Sequence, residues 1–363
     1  MREGIMPKLS IKDLVPGMVT AEDVYTFNNQ LVLPKGLTLN DKSITKLEFY
    51  SIMSVRVEDS EIDTEQIRKE EMSYSEKVKN SDAYKVFVQH FDAELEGFSN
   101  EMNEIVKENA PIDPQVLLHH ALDLLEDDMG MPNNVFTMLQ NMRDYDDVTH
   151  AHCMNVALIC NVFARWLRFS KEDTEIATMC GMLHDIGKLV IPENILKKPG
   201  KLTTDEYTLV KTHCVEGYKI LQKHPLNPHI SNAALMHHER CDGTGYPLGV
   251  KMNKIDKFAR LVAIADVYDA MTSARVYRGP LCPFQVIDIF ESEGFDKYDP
   301  DYYLTFMNNV VTTYLLNRAE LSNGEKGEII YINPNYPSRP TIKVGNEFID
   351  LAVRRDLSIV KLI

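Results

Sequence analysis

The sequence of 363 residues lacks any uninterrupted apolar run of roughly eighteen residues, the length that a membrane-spanning helix needs. Its first residues are not followed by a short apolar stretch, so we expect no secretory signal peptide. Positively charged residues are also outnumbered: the chain has 39 Lys and Arg but 54 Asp and Glu, which gives a net charge of −15. Such an acidic chain has little non-specific affinity for DNA, RNA or anionic lipid. We therefore expect a cytoplasmic protein whose partners include neither a nucleic-acid polymer nor a membrane.

The sequence also lacks the paired cysteines of a disulfide framework. All six cysteines lie between Cys153 and Cys282, and no CxxC spacing occurs among them. In a cytoplasmic chain we expect these thiols to be reduced and mostly buried. Cys153 and Cys214 each follow a histidine that is a candidate metal ligand, and a thiolate can ligate a metal. Because consecutive residues on a helix point in different directions, packing roles are favoured for both.

Changes of pattern along the chain divide it into four regions. Residues 1–58 combine short strands and turns with one helix, which Asn40 can cap, and they contain no catalytic cluster. This small α+β region is interpreted as a docking or regulatory domain. Residues 59–145 are charged and largely helical, as in a linker or a dimerisation stalk. Residues 146–320 carry long amphipathic helices, which predict a bundle, and residues 321–363 carry short strands. The predicted fold class is mainly α, with a small α+β domain before the bundle and a β appendage after it.

Helical apolar spacing sets out the individual helices of the predicted bundle. A first helix passes through residues 156–166, and further helices are predicted over 170–187, 203–221, 230–238 and 258–272. Five of the eleven histidines, with two aspartates, fall on or at the ends of these helices. They are His152, His184, Asp185, His213, His237, His238 and Asp266.

This set of side chains has the chemistry of a metal site. Imidazole and carboxylate together suit borderline divalent metals such as Fe, Mn or Zn. Bundle folds build dinuclear sites from side chains that face inward from several helices. Neighbouring residues on a helix diverge by about 100°, so His237 and His238 can each reach a different metal, and Asp185 can bridge both. A hydroxide between two metals is a nucleophile at neutral pH, and both metals stabilise an in-line displacement at phosphorus.

Five motifs, in order, make the stretch from Asp146 to Arg278 resemble the HD-GYP subfamily of HD-domain phosphohydrolases. The motifs are HCMNVA at 152–157, HDIGK at 184–188, KTHCVEG at 211–217, HHERCDGTGYP at 237–247 and IADVYDAMTS at 264–273. Each motif is weak by itself, but five in the right order over about a third of the chain are highly specific.

The resemblance implies that the protein hydrolyses cyclic di-GMP to linear pGpG and, as in many members, on to GMP. It implies that the seven residues above ligate two divalent metals, with catalytic roles at His184, Asp185 and Lys188. Substrate contacts are implied at Lys188, Tyr246, Pro247, Asp269, Arg275 and Arg278. The Lys and Arg residues in this set would supply the local positive charge that phosphates need in an acidic protein.

Two positions depart from the family pattern. Val148 stands one helical turn before His152, where some members carry a Glu that recruits a third metal. An apolar side chain cannot ligate, so the resemblance implies a dinuclear site here. Cys241 stands in the GYP segment where a Trp or another large residue is usual.

Two other functions stay open on the sequence. The first is an HD phosphohydrolase for another nucleotide, because metals and cations recognise phosphates and not bases. The second is a signalling scaffold that binds cyclic di-GMP without hydrolysing it, which the intact ligand set disfavours. Homodimer formation, or a signalling protein that binds the N-terminal region, is a further expectation for the partners.

Overall fold

The computed structural model describes residues 8–26, 31–50, 52–58, 78–126, 134–142, 149–273 and 279–363. Contacts among these residues divide the chain into two compact units. The first unit joins the N-terminal segment, up to residue 58, to Leu315–Ile363, and the second unit extends from Val78 to Tyr314. Within the described ranges, every helix is too short or too polar to cross a lipid bilayer.

The N-terminal part of the first unit contains four short strands and one helix. They are β1 (Lys8–Ser10), β2 (Val24–Tyr25), β3 (Leu31–Leu33), α1 (Asp41–Phe49) and β4 (Ser54–Arg56). β1 pairs with β4 and β2 with β3, both antiparallel. Asn40 caps α1 as the sequence predicts, because its side chain accepts a hydrogen bond from the Ser43 amide at 2.9 Å. Leu39, Leu47 and Val55 are buried in the small core between these elements.

The C-terminal part of the first unit is a five-stranded antiparallel sheet. Its strands are β5 (Arg318–Leu321), β6 (Lys326–Tyr331), β7 (Thr341–Val344), β8 (Glu347–Asp350) and β9 (Ile359–Leu362). Their order in the sheet is β8-β7-β6-β5-β9. Lys343 on β7 forms an ion pair with Glu48 on α1, and the rings of Phe49 and Tyr331 stack at 5.9 Å. Regions that the sequence treats as two separate extensions therefore pack together as one unit.

The second unit is a bundle of helices. Its helices are α2 (Asp82–Glu108), α3 (Pro114–Glu126), α4 (Asn134–Asn141), α5 (His150–Trp166), α6 (Lys171–Leu183), α7 (Glu193–Leu196), α8 (Thr204–Lys211), α9 (His213–Leu221), α10 (Pro228–Met236), α11 (Lys257–Thr272), α12 (Pro283–Glu293) and α13 (Pro300–Thr312). The prediction of a mainly helical protein with a small C-terminal sheet is confirmed.

α5 and α11 form the centre of this bundle. Nearly every side chain of α5 is buried, which is the pattern of a helix surrounded by others. α5 contacts both α6 and α11. α2 presents an apolar stripe, from Phe87 through Phe91, Leu95 and Phe98, and contacts α5, while α3 contacts α6. Much of the region predicted as a linker thus packs onto the bundle.

Two helices end or break earlier than the apolar periodicity predicts. The helix predicted to reach Gly187 ends at Leu183, and a short 3-10 turn follows over Ile186–Val190. The helix predicted over 203–221 breaks at Thr212 into α8 and α9. Periodicity does not show such breaks, because apolar spacing continues across them. Each break places a histidine at a helix terminus.

Candidate metal centre and adjoining pocket

The structure brings all seven predicted metal ligands together in the centre of the bundle. Asp185 occupies the middle of the group. Its Oδ1 lies 3.3 Å from His213 Nε2 and 3.6 Å from His237 Nε2. Its Oδ2 lies 3.3 Å from His184 Nε2 and 3.8 Å from His152 Nε2. Each carboxylate oxygen therefore faces two imidazoles, as the expected bridging role requires.

The remaining two candidate ligands lie beside this group. Asp266 Oδ1 is 3.0 Å from His152 Nε2, and Asp266 Oδ2 is 3.7 Å from His238 Nδ1. The side chain of His238 is 19% exposed, whereas the other ligands are almost completely buried. The centre is thus open to a ligand on the side of His238.

Three of the histidines stand at helix ends and are oriented in the same way. In each, ring Nδ1 lies within hydrogen-bond distance of the carbonyl oxygen three residues earlier. The pairs are His184 with Gly181 at 2.7 Å, His213 with Val210 at 2.6 Å and His237 with Ala234 at 3.0 Å. A carbonyl can only accept, so Nδ1 carries the proton and the Nε2 lone pair is directed toward Asp185.

Two buried atoms at the centre have no hydrogen-bond partner among the described residues. They are His184 Nε2 and Asp185 Oδ1. Buried polar atoms are rarely left unpaired, because the lost hydration costs about 1–3 kcal/mol for each group. Nitrogen and carboxylate oxygen in this arrangement are ligand atoms for divalent metals, and the residues present therefore fit a metal centre.

The protonation states of four of these residues also suit ligation. Burial lowers the pKa of His213 to about 4 and lowers the pKa of His184 and His238 as well. Burial opposes ionisation of Asp185, but Lys188 and His184 outweigh it and hold the pKa of this carboxyl well below its usual range. Three imidazoles are therefore neutral and the central carboxyl is ionised near neutral pH, which are the forms that bind metals.

Gly187, in the HD motif, allows α9 to approach the centre. A Cβ at this position would lie 2.0 Å from the His213 carbonyl oxygen and 2.5 Å from the Gly217 amide nitrogen. Any larger residue would push α9 outward, and His213 with it. The glycine is therefore needed for the position of a candidate ligand.

Asp269 forms hydrogen bonds with three neighbouring side chains. Its carboxylate accepts a hydrogen bond from His152 Nδ1 at 2.7 Å, from Asn155 Nδ2 at 3.2 Å and from Ser273 Oγ at 3.1 Å. The side chain is nearly inaccessible to solvent. The resemblance implies that Asp269 contacts substrate, whereas these contacts favour a role in orienting the ligand His152. The sequence offers a signal for this role only in the spacing of Asp266 and Asp269, which share one face of α11.

Lys188 lies beside the centre. Its ammonium group donates a hydrogen bond to Asp185 Oδ2, and its side chain is 22% exposed. Two further residues with implied substrate contacts, Arg275 and Arg278, lie outside the described residues, as does Val148.

The loop that carries Tyr246 and Pro247 closes one side of the centre. The Tyr246 ring lies 4.7 Å from the His238 ring, and the peptide between Tyr246 and Pro247 is cis. Buried Glu239 holds this loop, because its carboxylate accepts hydrogen bonds from the amides of Leu248, Gly249 and Val250 at 2.6, 3.1 and 3.2 Å. This role of Glu239 was not predicted from the sequence. The sequence feature that could have indicated this role is a carboxylate a few residues before a glycine-rich loop.

A cavity of about 410 Å³ adjoins the centre. His238, a candidate ligand, and Tyr246 line it together with Arg240, Phe290, Lys297 and Tyr298. Cavities of this size hold small-molecule ligands in many proteins. The candidate metal centre and the cavity therefore form one continuous site.

The six cysteines are free thiols, and five of them are buried. Cys214 Sγ lies 3.4 Å from His213 Nε2 and belongs to a group with His213, His237 and His238 that could hold a metal ion. Packing roles for Cys153 and Cys214 stay a prediction.

Fold and site together define a helical-bundle protein with a buried histidine–aspartate centre suited to divalent metals. Residues 133–302 match the family model described as HD domain. The matched stretch contains all seven candidate ligands and every residue that lines the cavity.

Among curated proteins, a cyclic di-GMP phosphodiesterase of Pseudomonas aeruginosa is 32% identical over 230 residues, which cover 62% of this chain and 55% of the relative. A 3'3'-cGAMP-specific phosphodiesterase of Vibrio cholerae is 37% identical over 173 residues, or 47% of this chain and 40% of the relative. A cyclic di-GMP phosphodiesterase of Thermotoga maritima is 35% identical over 175 residues, or 48% and 47%. The chain spans about half the length of the curated relatives it matches.

Among solved structures, an HDG"Y"P protein from Bdellovibrio bacteriovorus is similar, with a TM-score of 0.50 and 17% sequence identity. The alignment covers 84% of this chain and 99% of that protein. At this level of identity, the likeness concerns the fold alone.

Proposed function

We propose that this protein is a metal-dependent phosphodiesterase that hydrolyses cyclic di-GMP to pGpG and, by a second cleavage, to GMP. The observation that carries the proposal is the group of seven ligands around Asp185, which opens beside His238 into a cavity with aromatic and basic walls. A phosphate at the centre and a nucleoside in the cavity would use both parts of this one site.

The seven ligands would hold two divalent metal ions, of which Fe and Mn are the first candidates and Zn the third. Bound there, the ions would activate water for attack and counter the charge that develops on the phosphate. The three helix-end histidines are kept in one tautomer by backbone carbonyls, so no reorientation is needed before ligation.

Lys188 is the candidate general acid. Hydrolysis adds hydroxide to phosphorus and breaks the bond to the ribose oxygen, which then needs a proton. The Lys188 ammonium group has three donors, so it can bond Asp185 and still donate to the leaving oxygen. Tyr246 and Pro247 would bound the substrate on the side of His238.

A second candidate substrate is 3'3'-cGAMP, because relatives with this specificity are as similar to the chain as those named for cyclic di-GMP. A scaffold that binds the nucleotide without turnover is the candidate from another class. All seven ligands are present and assembled, and this disfavours the scaffold.

The test is direct. The full-length protein is purified anaerobically, loaded separately with Fe(II), Mn(II) or Zn(II), and incubated with cyclic di-GMP and 3'3'-cGAMP, with products followed by HPLC. We expect pGpG or GMP from cyclic di-GMP with the wild type, and none with the His184→Ala/Asp185→Ala variant. His119→Ala, on the exposed face of α3, is the matched control and should keep full activity.

Intact nucleotide under every metal condition, with bound metal confirmed by elemental analysis, would contradict the proposal. Tight binding without turnover would identify the scaffold instead. Size-exclusion chromatography of the same samples tests the expectation of a homodimer.

A further inference from the structure

The cavity beside His238 has a polar feature that the metal centre does not use. Arg240 lines this cavity two residues beyond the ligand His238. Its guanidinium carbon lies over the Tyr298 ring, 4.9 Å from the ring centroid. Arg240 Nη1 is buried and has no hydrogen-bond partner among the described residues. The guanidinium group therefore packs against an aromatic ring but is incompletely paired.

The cavity offers this arginine no anionic partner. Among the described residues that line it, none carries a carboxylate, and the other charged group is Lys297. Much of the remaining wall is apolar or aromatic and includes Val267, Met271, Ile289 and Phe290. A buried donor without an acceptor is costly, so the arrangement is suited to a ligand that brings acceptors.

The walls favour a base over a phosphate as this ligand. A phosphate is strongly hydrated and belongs at the metal centre, whereas a purine is flat and largely apolar on its faces. An aromatic side chain such as Tyr246 is a common stacking partner of bases. An arginine held on an aromatic ring presents its N–H donors in one plane, which matches the edge of a base.

We propose that Arg240 recognises a guanine base of the substrate through its O6 and N7 acceptors and so selects guanine over adenine in this cavity. The inference rests on the proposed function and names the group that determines its specificity. Guanine presents two acceptors to an arginine fork, whereas adenine presents one acceptor and an amino group. The amino group would face the arginine donors and leave both sides unpaired.

The test compares kcat/KM of the metal-loaded full-length protein for cyclic di-GMP, 3'3'-cGAMP and cyclic di-AMP. Arg240→Gln and Arg240→Lys are compared with wild type, and Arg165→Gln, on an exposed position of α5, is the matched control. We expect wild type to prefer cyclic di-GMP over cyclic di-AMP. Arg240→Gln should reduce this preference about ten- to hundredfold, mainly through a higher KM for cyclic di-GMP. Arg165→Gln should leave the preference unchanged.

Arg240→Lys separates the two ways in which an arginine can contact a nucleotide. Lysine keeps the charge but loses the fork, so the loss of preference should resemble that of Arg240→Gln. If lysine restores wild-type kcat/KM, Arg240 contacts phosphate, and the inference is overturned. An unchanged ratio of the three substrates in Arg240→Gln, with its Tm near that of wild type, overturns it equally.

Failure of the proposed function gives a different result. If wild type cleaves none of the three nucleotides, equilibrium dialysis measures their Kd with the same variants, and the same loss of guanine preference is expected in Kd. If the protein neither cleaves nor binds any of them, both the function and the inference are wrong.

Discussion

The His152 ring is clamped between two carboxylates, with Asp269 Oδ2 at 2.7 Å from Nδ1 and Asp266 Oδ1 at 3.0 Å from Nε2. Burial alone would lower the pKa of His152, but the hydrogen bonds to Asp266 and Asp269 raise it to about 9. Asp266 lies on the ligand side of the ring and Asp269 on the far side. A carboxylate that accepts a hydrogen bond from the far ring nitrogen of a metal-binding histidine fixes the orientation of the ring. It also makes the other nitrogen a stronger electron-pair donor to the metal.

Asp269→Asn should therefore weaken metal binding without removing a ligand. We expect the Kd for Mn(II), measured by competition with a chelator, to rise about 10- to 100-fold, since partners behind ligand histidines commonly contribute this much. Asp288→Asn, at an exposed position of α12, is the control and should keep the wild-type Kd. An unchanged Kd in Asp269→Asn would show that His152 needs no support from Asp269.

Metal removal should destabilise the bundle, because ionised carboxylates and unpaired polar atoms are left buried at its centre. Mn(II) at 100-fold its Kd adds about 2.7 kcal/mol to the free energy of unfolding by mass action. For a bundle of this size, Tm changes by about 2–4 °C per kcal/mol. Calorimetry of chelator-treated protein, with and without Mn(II), measures the shift. The His184→Ala/Asp185→Ala variant should show almost none, and an equal shift there would mean that Mn(II) binds elsewhere.

Gly187→Ala should disturb both stability and the metal centre, because the new Cβ would overlap the backbone of α9 at the His213 carbonyl oxygen. Overpacking of this kind typically costs about 1–3 kcal/mol, and a backbone neighbour cannot move aside as a side chain can. Thermal unfolding and metal content are the readouts. Gly279→Ala, where a Cβ would meet nothing within 4 Å, should leave both unchanged. A stable Gly187→Ala protein with full metal content would show that α9 tolerates displacement.

Glu239→Ala should release the loop at 246–250, since three backbone amides lose their acceptor. Each hydrogen bond to a charged group contributes about 1.5–3 kcal/mol, so we expect a lower free energy of unfolding. We also expect a higher KM, because the loop beside the cavity is less well held. Hydrogen exchange of the Leu248, Gly249 and Val250 amides reports the release locally. Glu239→Gln keeps an acceptor and should lie between Glu239→Ala and wild type. Unchanged exchange in Glu239→Ala would show that other contacts hold the loop.

The thiol of Cys241 should react slowly although it is only half-buried. Burial, with a smaller contribution from Asp299, raises the pKa of Cys241 to about 11. At pH 8 only about a thousandth of the Cys241 side chains are then in the thiolate form, which is the reactive one. The rate of reaction should increase as pH rises toward 11. A thiol reagent at pH 8 should label little in the native protein and all six cysteines in denaturant. Rapid labelling of one native thiol at pH 8 would contradict this prediction.

The sequence alone determined the identity of the candidate ligands and the resemblance to HD-GYP proteins. His and Asp at fixed motif spacings specify which side chains are available, and that information is local in the chain. The capped helix at Asn40, the strands at Thr341–Val344 and Ile359–Leu362, and the helical character of the bundle were predictable for the same reason, since each depends on neighbouring residues.

Other properties depend on distant residues, and only the tertiary structure decided them. Apolar periodicity continues through Thr212, so nothing local showed that His213 begins a new helix. Asp269 meets His152 across 117 positions, and Lys343 meets Glu48 across 295. The cavity around Arg240 is likewise formed by residues 207 to 298. Which groups are buried, paired or left without a partner is a property of packing between helices, and packing joins residues that no local pattern connects.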